Sequence, residues 1–549
     1  MEIIEADRKF QITQYPSMDS VYDRLPSMTE ASIKLRADQA QGVIDDLNAL
    51  DTSSLEFEDL ITLKLFRFTR ENQIAQFGNQ AHLNPLLVDA GFHIGFAFLP
   101  SSYEFSSVSS YENYIMILRD YPRYVQEHID LLSKGLETGV SQSQIILKGY
   151  EVTFNKHIVE DVDESLFFNP FKNISENISA EMQNILKKNG EEAVMTGAIA
   201  GYQLFADFML NEYVPKTRKS IGALNLPNGD EFYQQRIKYY TTLELTPDSI
   251  HRLGLKEVAR IKSEMLDIID KVEFRGSFDE FLTFLRTDEQ FYAKTPKELL
   301  QTAAHIAKSM DGKLPQLFGK LPRQPYTVNP VPDHLAPKYT SGRYVGADID
   351  GTKPGQYWVN TYDLPSRTLY TLEALSYHEA VPGHHLQTAL TSELSHLPEF
   401  RQNLYLSAFG EGWGLYSEFL GKEAGFYLDP YSDFGRLTYE MWRACRLVVD
   451  TGLHAKGWSR QRVLNYMASN TALSIHEITT ETDRYISWPG QALSYKMGEL
   501  KIKALRKKAT EALGENFDIR EFHDLVLSKG TVTLPILEEM VERYIEDKK

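Results

Sequence analysis

Amphipathic helical periodicity runs through most of this chain and limits what it can fold into. The segment TPDSIHRLGLKEVARIKSEMLDIIDKV, residues 246–272, places Thr246 at an N-cap and Pro247 at the first helical position, followed by a broad apolar stripe. Similar stripes recur from about residue 30 to about residue 310, and Pro535 opens a last amphipathic helix. We therefore predict a mainly α-helical protein.

The helical pattern is interrupted between residues 320 and 367. Five prolines between Pro322 and Pro337 cannot continue a helix, and the later stretch GQYWVNTYDL alternates and is rich in strand-forming residues. We expect one or two extended segments here. A chain of 549 residues exceeds the usual size of a single core. We predict parts at residues 1–320 and 321–549, joined in one continuous multi-lobed domain.

Composition excludes several classes of function. The formal net charge of −18 argues against nucleic acid as a partner, because binding to phosphate backbones needs clustered Lys and Arg. The single cysteine, Cys445, excludes an intramolecular disulfide framework and a cysteine-based zinc site.

The sequence also bears on cellular location. The opening MEIIEADRKF shows no signal peptide, and no apolar run approaches the ~20 residues of a membrane span. We predict a cytoplasmic protein without a membrane span. The alternative is an exported protein or lipoprotein from which a signal peptide has been trimmed. The sequence predicts no oligomeric state.

The segment ALSYHEAVPGHHLQ, residues 374–387, holds a cluster of metal-binding side chains. In zinc peptidases, a His-Glu pair and a second histidine one turn later place two ligands on one helical face and supply a general base. Here that later position is Pro382. In an unbroken helix His384 would lie about 240° around the axis from His378, and His385 would lie ~10 Å further along it. Neither pair could share one ion at bonds of about 2.1 Å.

Pro382 and Gly383 offer a solution to this spacing. Pro382 cannot donate to the carbonyl of His378, and Gly383 accepts unusual dihedral angles, so a local bulge can absorb two extra residues. The second histidine would then fold back to the metal. The alternative is an ordinary helix end, with Pro-Gly as the stop and the histidines as surface or capping residues.

A third ligand is expected from a following helix. The segment SAFGEGWGLYSEFLGKEAG, residues 407–425, offers Glu411 and Glu418, seven residues apart and so on one face of an otherwise apolar helix. Carboxylates on such a face need a partner when buried. The alternative for Glu411 is a glutamate at a helix start, favoured by the helix dipole.

These motifs together resemble a known family. The matching stretches are DGTKPGQYWVNTYDLPSR, HEAVPGHHLQ, EGWGLYSE, ETDRYISWPGQALSYKMG and FHDLVLSKGTVTLPILEEMVE, with weaker likeness in YDRLPSMTEASIK. They resemble the bacterial domain of unknown function 885. That family is regarded as belonging with the gluzincin metallopeptidases, similar in helical fold to angiotensin-converting enzyme and the carboxypeptidase Taq family.

The resemblance implies a large two-lobed helical fold with a deep cleft and a small β element before the metal-binding helix. Residues 1–320 would form one side of the cleft, and residues 321–549 would be the catalytic, metal-binding part. It further implies one zinc ion, held by His378, His384 and Glu411.

Other roles near the metal follow from the same resemblance. Glu379 would be the general base, and a two-residue insertion relative to the family pattern His-Glu-x-x-His would match the bulge. His385 stays an alternative ligand, because a bulge of different shape would select it. We expect Gln387 and Glu418 to orient the ligands, with Glu418 also open as a ligand.

The stretch ETDRYISWPGQALSYKMG supplies Arg484, Tyr485 and Tyr495. A tyrosine downstream of the ligands stabilises the oxyanion in the resembled enzymes, and YKMG looks like the Tyr-x-x-Gly of the carboxypeptidase Taq group. The resemblance therefore implies a catalytic Tyr495; the alternative is a tyrosine packed in a helix with its hydroxyl at the rim. We predict that Arg484 acts in catalysis or receives a substrate carboxylate, and that Tyr485 contacts substrate.

The segment GQYWVNTYDL precedes the metal helix, as an edge strand does in the resembled enzymes. An extended peptide could pair with it by strand addition, with Asn360 and Tyr362 contacting substrate. An ordinary strand is the alternative.

Three functions remain in competition. The first is a zinc-dependent metallopeptidase acting on short peptides, with a metal-activated water and a Glu base. The second is a metal-dependent amidase or esterase acting on a small molecule, and the third is a helical protein that holds a metal for structure or not at all. Imidazole and carboxylate ligands suit zinc but also other divalent metals.

Overall fold

The computed structural model describes residues 1–18, 22–333, 335–347 and 352–549, and for Lys338 the backbone alone. Helices hold 70% of the residues and strands 3%, which confirms the mainly α-helical class. Asp350 and Gly351, which open one of the family-like motifs, lie outside the described residues.

The α-helices that precede the sheet are α1 (Glu2–Gln14), α2 (Glu30–Ala49), α3 (Phe57–Gly78), α4 (Phe92–Phe96), α5 (Leu99–Ser102), α6 (Val108–Thr138), α7 (Asn169–Lys172), α8 (Ala180–Ala193), α9 (Ala200–Phe208), α10 (Val214–Lys216), α11 (Gly229–Thr241), α12 (Pro247–Lys271), α13 (Phe278–Thr287), α14 (Pro296–Asp311) and α15 (Leu314–Leu317).

The strands are β1 (Tyr326–Pro330), β2 (Gly342–Val345) and β3 (Gly355–Val359). The α-helices that follow them are α16 (Leu372–Glu379), α17 (His384–Ser392), α18 (Glu399–Gln402), α19 (Ser407–Glu423), α20 (Pro430–Lys456), α21 (Arg460–Asn470), α22 (Ile475–Ser487), α23 (Ser494–Leu513), α24 (Ile519–Leu527) and α25 (Leu534–Lys548).

Helix starts follow capping residues in the sequence. At α12 the side chain of Thr246 accepts a hydrogen bond from the amide of Ser249, and Pro247 is the first helical residue, as predicted. Thr533 caps α25 in the same way, with Pro535 in its first turn.

The chain divides into two compact units. The first comprises residues 1–232 and 486–488, and the second comprises residues 233–485 and 489–549. The boundary predicted between residues 320 and 321 lies inside the second unit. Helices on either side of the sheet share a core there: His251 on α12 hydrogen-bonds Thr451 on α20 at 2.8 Å, for example.

Residues 180–216, in the first unit, are long and apolar enough to cross a membrane by length and composition alone. Their most apolar window has a mean hydropathy of 1.3, and 61% of it is buried inside the protein. Tyr202 and Phe205 within this stretch are fully buried. Such burial is typical of a core helix in a folded domain.

The second unit contains a three-stranded sheet of order β1-β3-β2. Strand β3 pairs in parallel with β1 and antiparallel with β2. The prediction of a small β element before the metal-binding helix is confirmed, but β3 is the central strand. Its two edges are both used, so the predicted addition of a peptide strand to this segment is wrong. The outer strand next to α16 is β2.

Helices α19 and α23 of the second unit cross at small residues. A Cβ added at Gly498 on α23 would lie 1.9 Å from the carbonyl oxygen of Ala408, and one added at Gly412 would lie 2.5 Å from the Cα of Gly498. Only glycine permits this approach. The crossing brings Tyr495, one turn before Gly498, toward the start of α19, where Glu411 lies.

Buried histidines make the first unit sensitive to acid. Burial lowers the pKa of His93 and of His128 to about 3, and that of His157 to about 4. In the unfolded chain a histidine titrates near 6.5, so unfolding takes up protons as the pH falls below about 6.5. The free energy of unfolding is therefore retained above about pH 6.5 and decreases as the pH falls from there toward the folded-state pKa values.

Replacing His128 by Phe should remove part of this acid sensitivity. His128 stacks on Phe92 with ring centroids 3.9 Å apart, so a phenyl ring fits its place. Between pH 7 and pH 5 we expect the wild type to lose on the order of 2 kcal/mol more unfolding free energy than His128→Phe. Urea unfolding followed by circular dichroism measures the difference, with His305→Phe, the same change at an exposed position, as control. An unaltered pH dependence in His128→Phe would contradict this account.

Candidate metal centre

The helix that carries the histidine cluster breaks at residues 380–383. Helix α16 ends at Glu379 and α17 begins at His384. A Cβ added at Gly383 would lie 1.9 Å from the carbonyl oxygen of His378, so only glycine fits this turn. The indole of Trp413 donates a 2.8 Å hydrogen bond to the carbonyl of Pro382 and braces it from α19. As a result, the rings of His378 and His384 lie 4.8 Å apart, centroid to centroid.

Three ligand atoms converge on one point. The Nε2 atom of His378 lies 3.4 Å from Oε2 of Glu411, and the Nε2 atom of His384 lies 3.5 Å from the same oxygen. One candidate ligand atom from each residue lies within 4.8 Å of the other two, which is the spacing of a group able to hold a metal ion. The structure thus brings together the three residues predicted as ligands, in the arrangement that the bulged helix was expected to allow.

Glu411 is ionised and oriented. The hydroxyl of Tyr405 donates to its Oε1 at 2.8 Å, which leaves Oε2 facing the histidines. Burial raises the pKa of Glu411, but His378 and His384 outweigh burial, so its pKa lies well below the usual range. The carboxylate therefore presents a negative oxygen to the point between the two imidazoles.

Glu418, two turns after Glu411 on α19, orients His378. Its Oε1 accepts a hydrogen bond from Nδ1 of His378 at 2.8 Å, and the guanidinium of Arg443 lies 3.5 Å from that oxygen. In its neutral form, which is the form that binds a metal, a histidine that donates through Nδ1 presents the lone pair of Nε2. Burial lowers the pKa of His378, but Glu411 and Glu418 raise it more, to about 10, which shows how negative the surroundings are.

Glu379 is held beside the cluster. It follows His378 directly, is 9% exposed, and its Oε2 accepts a 2.7 Å hydrogen bond from the amide of Tyr344 on β2. The outer strand of the sheet thereby fixes the carboxylate that the sequence indicated as a general base.

His385 does not face the cluster, whereas His384 belongs to it. Its Nε2 lies 3.1 Å from the carbonyl of Gln324 and its Nδ1 lies 3.2 Å from the hydroxyl of Tyr344. Burial lowers its pKa to about 4, so the ring is neutral. Gln387 is buried one turn after Gly383, where its backbone amide bonds the carbonyl of that residue.

Tyr495 lies against the cluster. Its ring stacks near that of His378, with centroids 6.5 Å apart and an interplanar angle of 25°. The guanidinium of Arg446 lies 4.4 Å from the centre of the Tyr495 ring, and that of Arg443 lies 5.7 Å from it. Two buried cations therefore hold this tyrosine from the side of α20.

The other residues predicted from the same stretch have structural contacts. Tyr485 is 1% exposed, and its hydroxyl accepts hydrogen bonds from Trp442 at 2.8 Å and from Arg446 at 2.9 Å. The predicted substrate contact through Tyr485 is therefore wrong, because both donors are protein groups in the core. Arg484 donates to Gln491 at 2.9 Å and pairs with Glu481 at 3.4 Å, so its guanidinium is engaged within the protein.

Asn360 is fully buried and secures a loop. Its amide donates to the carbonyls of Ala336, Tyr339 and Thr340 at 2.9 to 3.0 Å. Its oxygen accepts from the amide of Tyr362, whose side chain is 52% exposed. All of these polar groups are satisfied by backbone, so the substrate contact predicted for Asn360 is wrong. The structure shows no contact between Tyr362 and the described residues of the cluster.

Comparison with known families gives a match over nearly the whole chain. Residues 12–541 match the family described as "Bacterial protein of unknown function (DUF885)". The chain belongs to the DUF885 family. No curated protein matches it.

Two solved structures share the fold of this DUF885 chain. One is described as "the putative lipoprotein from Colwellia psychrerythraea"; it is 28% identical, with a TM-score of 0.87 over 95% of this chain and 92% of that one. The other, "a putative lipoprotein of unknown function from Shewanella oneidensis", is 16% identical, with a TM-score of 0.75 over 98% of each chain.

Two groups at the DUF885 site escaped sequence reasoning. Tyr344 acts through its backbone amide, which carries no sequence signal. Tyr405 precedes Glu411 by six residues and lies just before α19, so neither a motif nor helical spacing points to it. The only available signal is that a buried Glu411 needs a hydrogen-bond donor, which a nearby tyrosine can supply.

Gly414→Ala should displace His378 and weaken metal binding by the DUF885 protein. A Cβ at residue 414 would lie 2.6 Å from Cε1 and 2.7 Å from Nε2 of His378, so the imidazole must move. We expect at least a tenfold loss of zinc affinity, of the order seen when groups that orient ligands are changed. Isothermal titration with zinc measures it. Gly42→Ala, in a helix position where an added Cβ has open space, is the control. Unchanged affinity in Gly414→Ala would contradict the assignment of His378.

Proposed function

We propose that this protein is a zinc-dependent metallopeptidase that hydrolyses peptide bonds in short peptides. The observation that carries the proposal is the convergence of His378, His384 and Glu411 beside Glu379. In a tetrahedral zinc site with bonds of about 2.0 to 2.1 Å, neighbouring ligand atoms lie about 3.4 Å apart. The distances of 3.4 and 3.5 Å in this cluster fit that geometry.

The donor set supports a catalytic site over a structural one. Structural zinc sites are closed by four protein ligands, whereas catalytic sites use three and keep a position for water. The group found among the described residues holds three. Glu418 is bonded to Nδ1 of His378, and His385 is bonded to Gln324 and Tyr344, so neither offers a fourth ligand.

A zinc ion bound by these ligands would polarise the substrate carbonyl and lower the pKa of a bound water. Glu379 would take the proton of that water. Its Oε2 accepts the hydrogen bond from the Tyr344 amide, so Oε1 would be the atom that accepts the proton. Returning the same proton to the leaving amine would make Glu379 base and acid in turn.

Tyr495 supports the proposal as a donor to the developing oxyanion. Its ring lies beside that of His378, and Arg443 and Arg446 hold it there. A preorganised hydroxyl at this place needs no rearrangement during the reaction. Because the hydroxyl of Tyr405 is already bonded to Glu411, it is the less available of the two phenols.

The proposed setting of the enzyme is outside the cytoplasm. Both structural relatives are described as a "putative lipoprotein", which supports the exported or lipoprotein alternative over the cytoplasmic prediction.

Glu379→Gln should keep zinc and lose hydrolysis. Glutamine retains the hydrogen bond from Tyr344 but cannot accept a proton, so we expect about one zinc per chain and a fall in kcat of at least ~10³. Metal analysis by mass spectrometry and hydrolysis of a mixed oligopeptide library measure both quantities.

Glu393→Gln, a carboxylate at the end of α17 that pairs with Arg323, is the matched control. A wild-type protein that takes up no zinc would reject the metal site. Zinc uptake with cleavage of simple amides or esters, but of no peptide, would favour the amidase or esterase alternative.

Tyr495→Phe should lower kcat without changing zinc content. Loss of one oxyanion donor costs roughly 10² to 10³ in kcat, while KM should change little because the donor acts in the transition state. Steady-state kinetics with a peptide identified in the oligopeptide library measures kcat and KM. Tyr362→Phe is the control for an exposed phenol. A rise in KM with kcat unchanged would instead make Tyr495 a substrate contact.

A further inference from the structure

Strand β2 passes directly beside the proposed base. It is bonded to β3 on one side, and on its other side the amide of Tyr344 donates to Glu379. A side chain one residue away from Tyr344 on this strand therefore lies within a few ångströms of the place where a substrate must bind.

The pleat of β2 sends its side chains to two faces. Tyr344 packs on His385, with ring centroids 5.5 Å apart, and a Cβ at Gly342 would lie 3.1 Å from Leu375. Residues 342 and 344 thus face α16 and α17. Arg343, between them, points to the opposite face, where part of its surface is exposed.

Two carboxylates of the site act on Arg343. Burial lowers the pKa of its guanidinium, but Tyr339, Glu379 and Glu411 outweigh burial and raise it. The guanidinium is therefore close to the site, and it makes no ion pair with any described carboxylate. A permanent cation stands at the edge of the cluster; Tyr339 accepts a hydrogen bond from it, and the guanidinium carries further donors.

Aromatic side chains flank this cation. Trp358 on β3 is the register partner of Arg343 and so lies on the same face, and the ring of Tyr339 lies 6.0 Å from that of Trp358. Both rings are half-buried. A guanidinium set among aromatic rings is partly shielded from water, which strengthens its bond to an anion.

We infer that Arg343 binds a carboxylate of the substrate next to the bond that is cleaved. The inference rests on the proposed function and adds a substrate class to it: peptides with a negative charge close to the scissile bond. That charge is either the carboxylate of the peptide's C-terminal end or an acidic side chain, and both present the same planar pair of oxygens to the guanidinium.

Binding, measured without catalysis, tests the inference. The zinc-loaded Glu379→Gln protein is titrated calorimetrically with two pairs of probes. N-acetyl-Ala-Ala-Ala is compared with its C-terminal amide, and N-acetyl-Ala-Glu-Ala amide with N-acetyl-Ala-Gln-Ala amide. We expect the charged member of at least one pair to bind at least about tenfold more tightly, and less so as salt is raised.

Variants in the same background assign the effect to Arg343. Arg343→Gln should remove the preference. Arg343→Lys should retain part of it, because lysine keeps the positive charge but lacks the paired donors of the planar guanidinium. Arg323→Gln, an exposed arginine ahead of β1 that pairs with Glu393, should keep the full preference. Circular dichroism and zinc content verify that each variant is folded and loaded.

The outcomes separate this inference from the proposed function. The first pair of probes reports a terminal carboxylate and the second an acidic side chain, so a preference in either pair supports the inference and names the source. Equal binding within both pairs, no binding by any probe, or a preference that survives in Arg343→Gln overturns it. Hydrolysis plays no part in the titration, so tight binding of acids by a protein that cleaves nothing would retain the inference and reject peptidase activity.

Discussion

The contact between Gly383 and the carbonyl of His378 is the constraint on which the site depends. Two side chains six residues apart cannot face one point from a regular helix, and the chain brings His378 and His384 together by ending one helix and starting another within four residues. The turn is so tight that its glycine has no room for a Cβ. The hydrogen bond from Trp413 then joins the turn to α19, the helix that carries Glu411. The two histidines are thereby held in position relative to Glu411.

The charge balance of the site follows from this packing. Three carboxylates and two imidazoles are drawn into a small, largely buried space, which is costly unless each charge has a partner. Each carboxylate is given a donor: Glu379 the amide of Tyr344, Glu411 the hydroxyl of Tyr405, and Glu418 the Nδ1 of His378. The Tyr344 amide and the Tyr405 hydroxyl orient their carboxylates without neutralising them. The remaining negative charge is the electrostatic property that a divalent cation would balance.

Sequence reasoning reached what depends on local spacing. The helical class follows from periodicity, and the meeting of His378 with His384 follows from the Pro-Gly pair between them, because both are properties of a few consecutive residues. Glu418 could be placed on the same face as Glu411 from helical geometry alone. The roles of Tyr485 and Asn360 could not, since each is decided by partners far away in the chain: Trp442 and Arg446 for one, the loop at residues 336–340 for the other.

The order of the strands escaped prediction for a related reason. A short strand pattern specifies which residues alternate, but not which neighbour lies on each side. That β3 is central, with β1 and β2 as the outer strands, depends on the loops that connect them.

The pairing of β2 with β3 has a consequence for how such a site can change. Because side chains alternate along a strand, a slip of one residue would turn Arg343 toward α17 and Tyr344 outward, and would also replace the amide that bonds Glu379. The direction in which Arg343 points and the orientation of the Glu379 carboxylate are therefore both set by the register of β2 on β3. An insertion of one residue within this strand, unless a bulge absorbed it, would disturb both at once, so the loops on either side of it are the places where length can vary with least effect on the site.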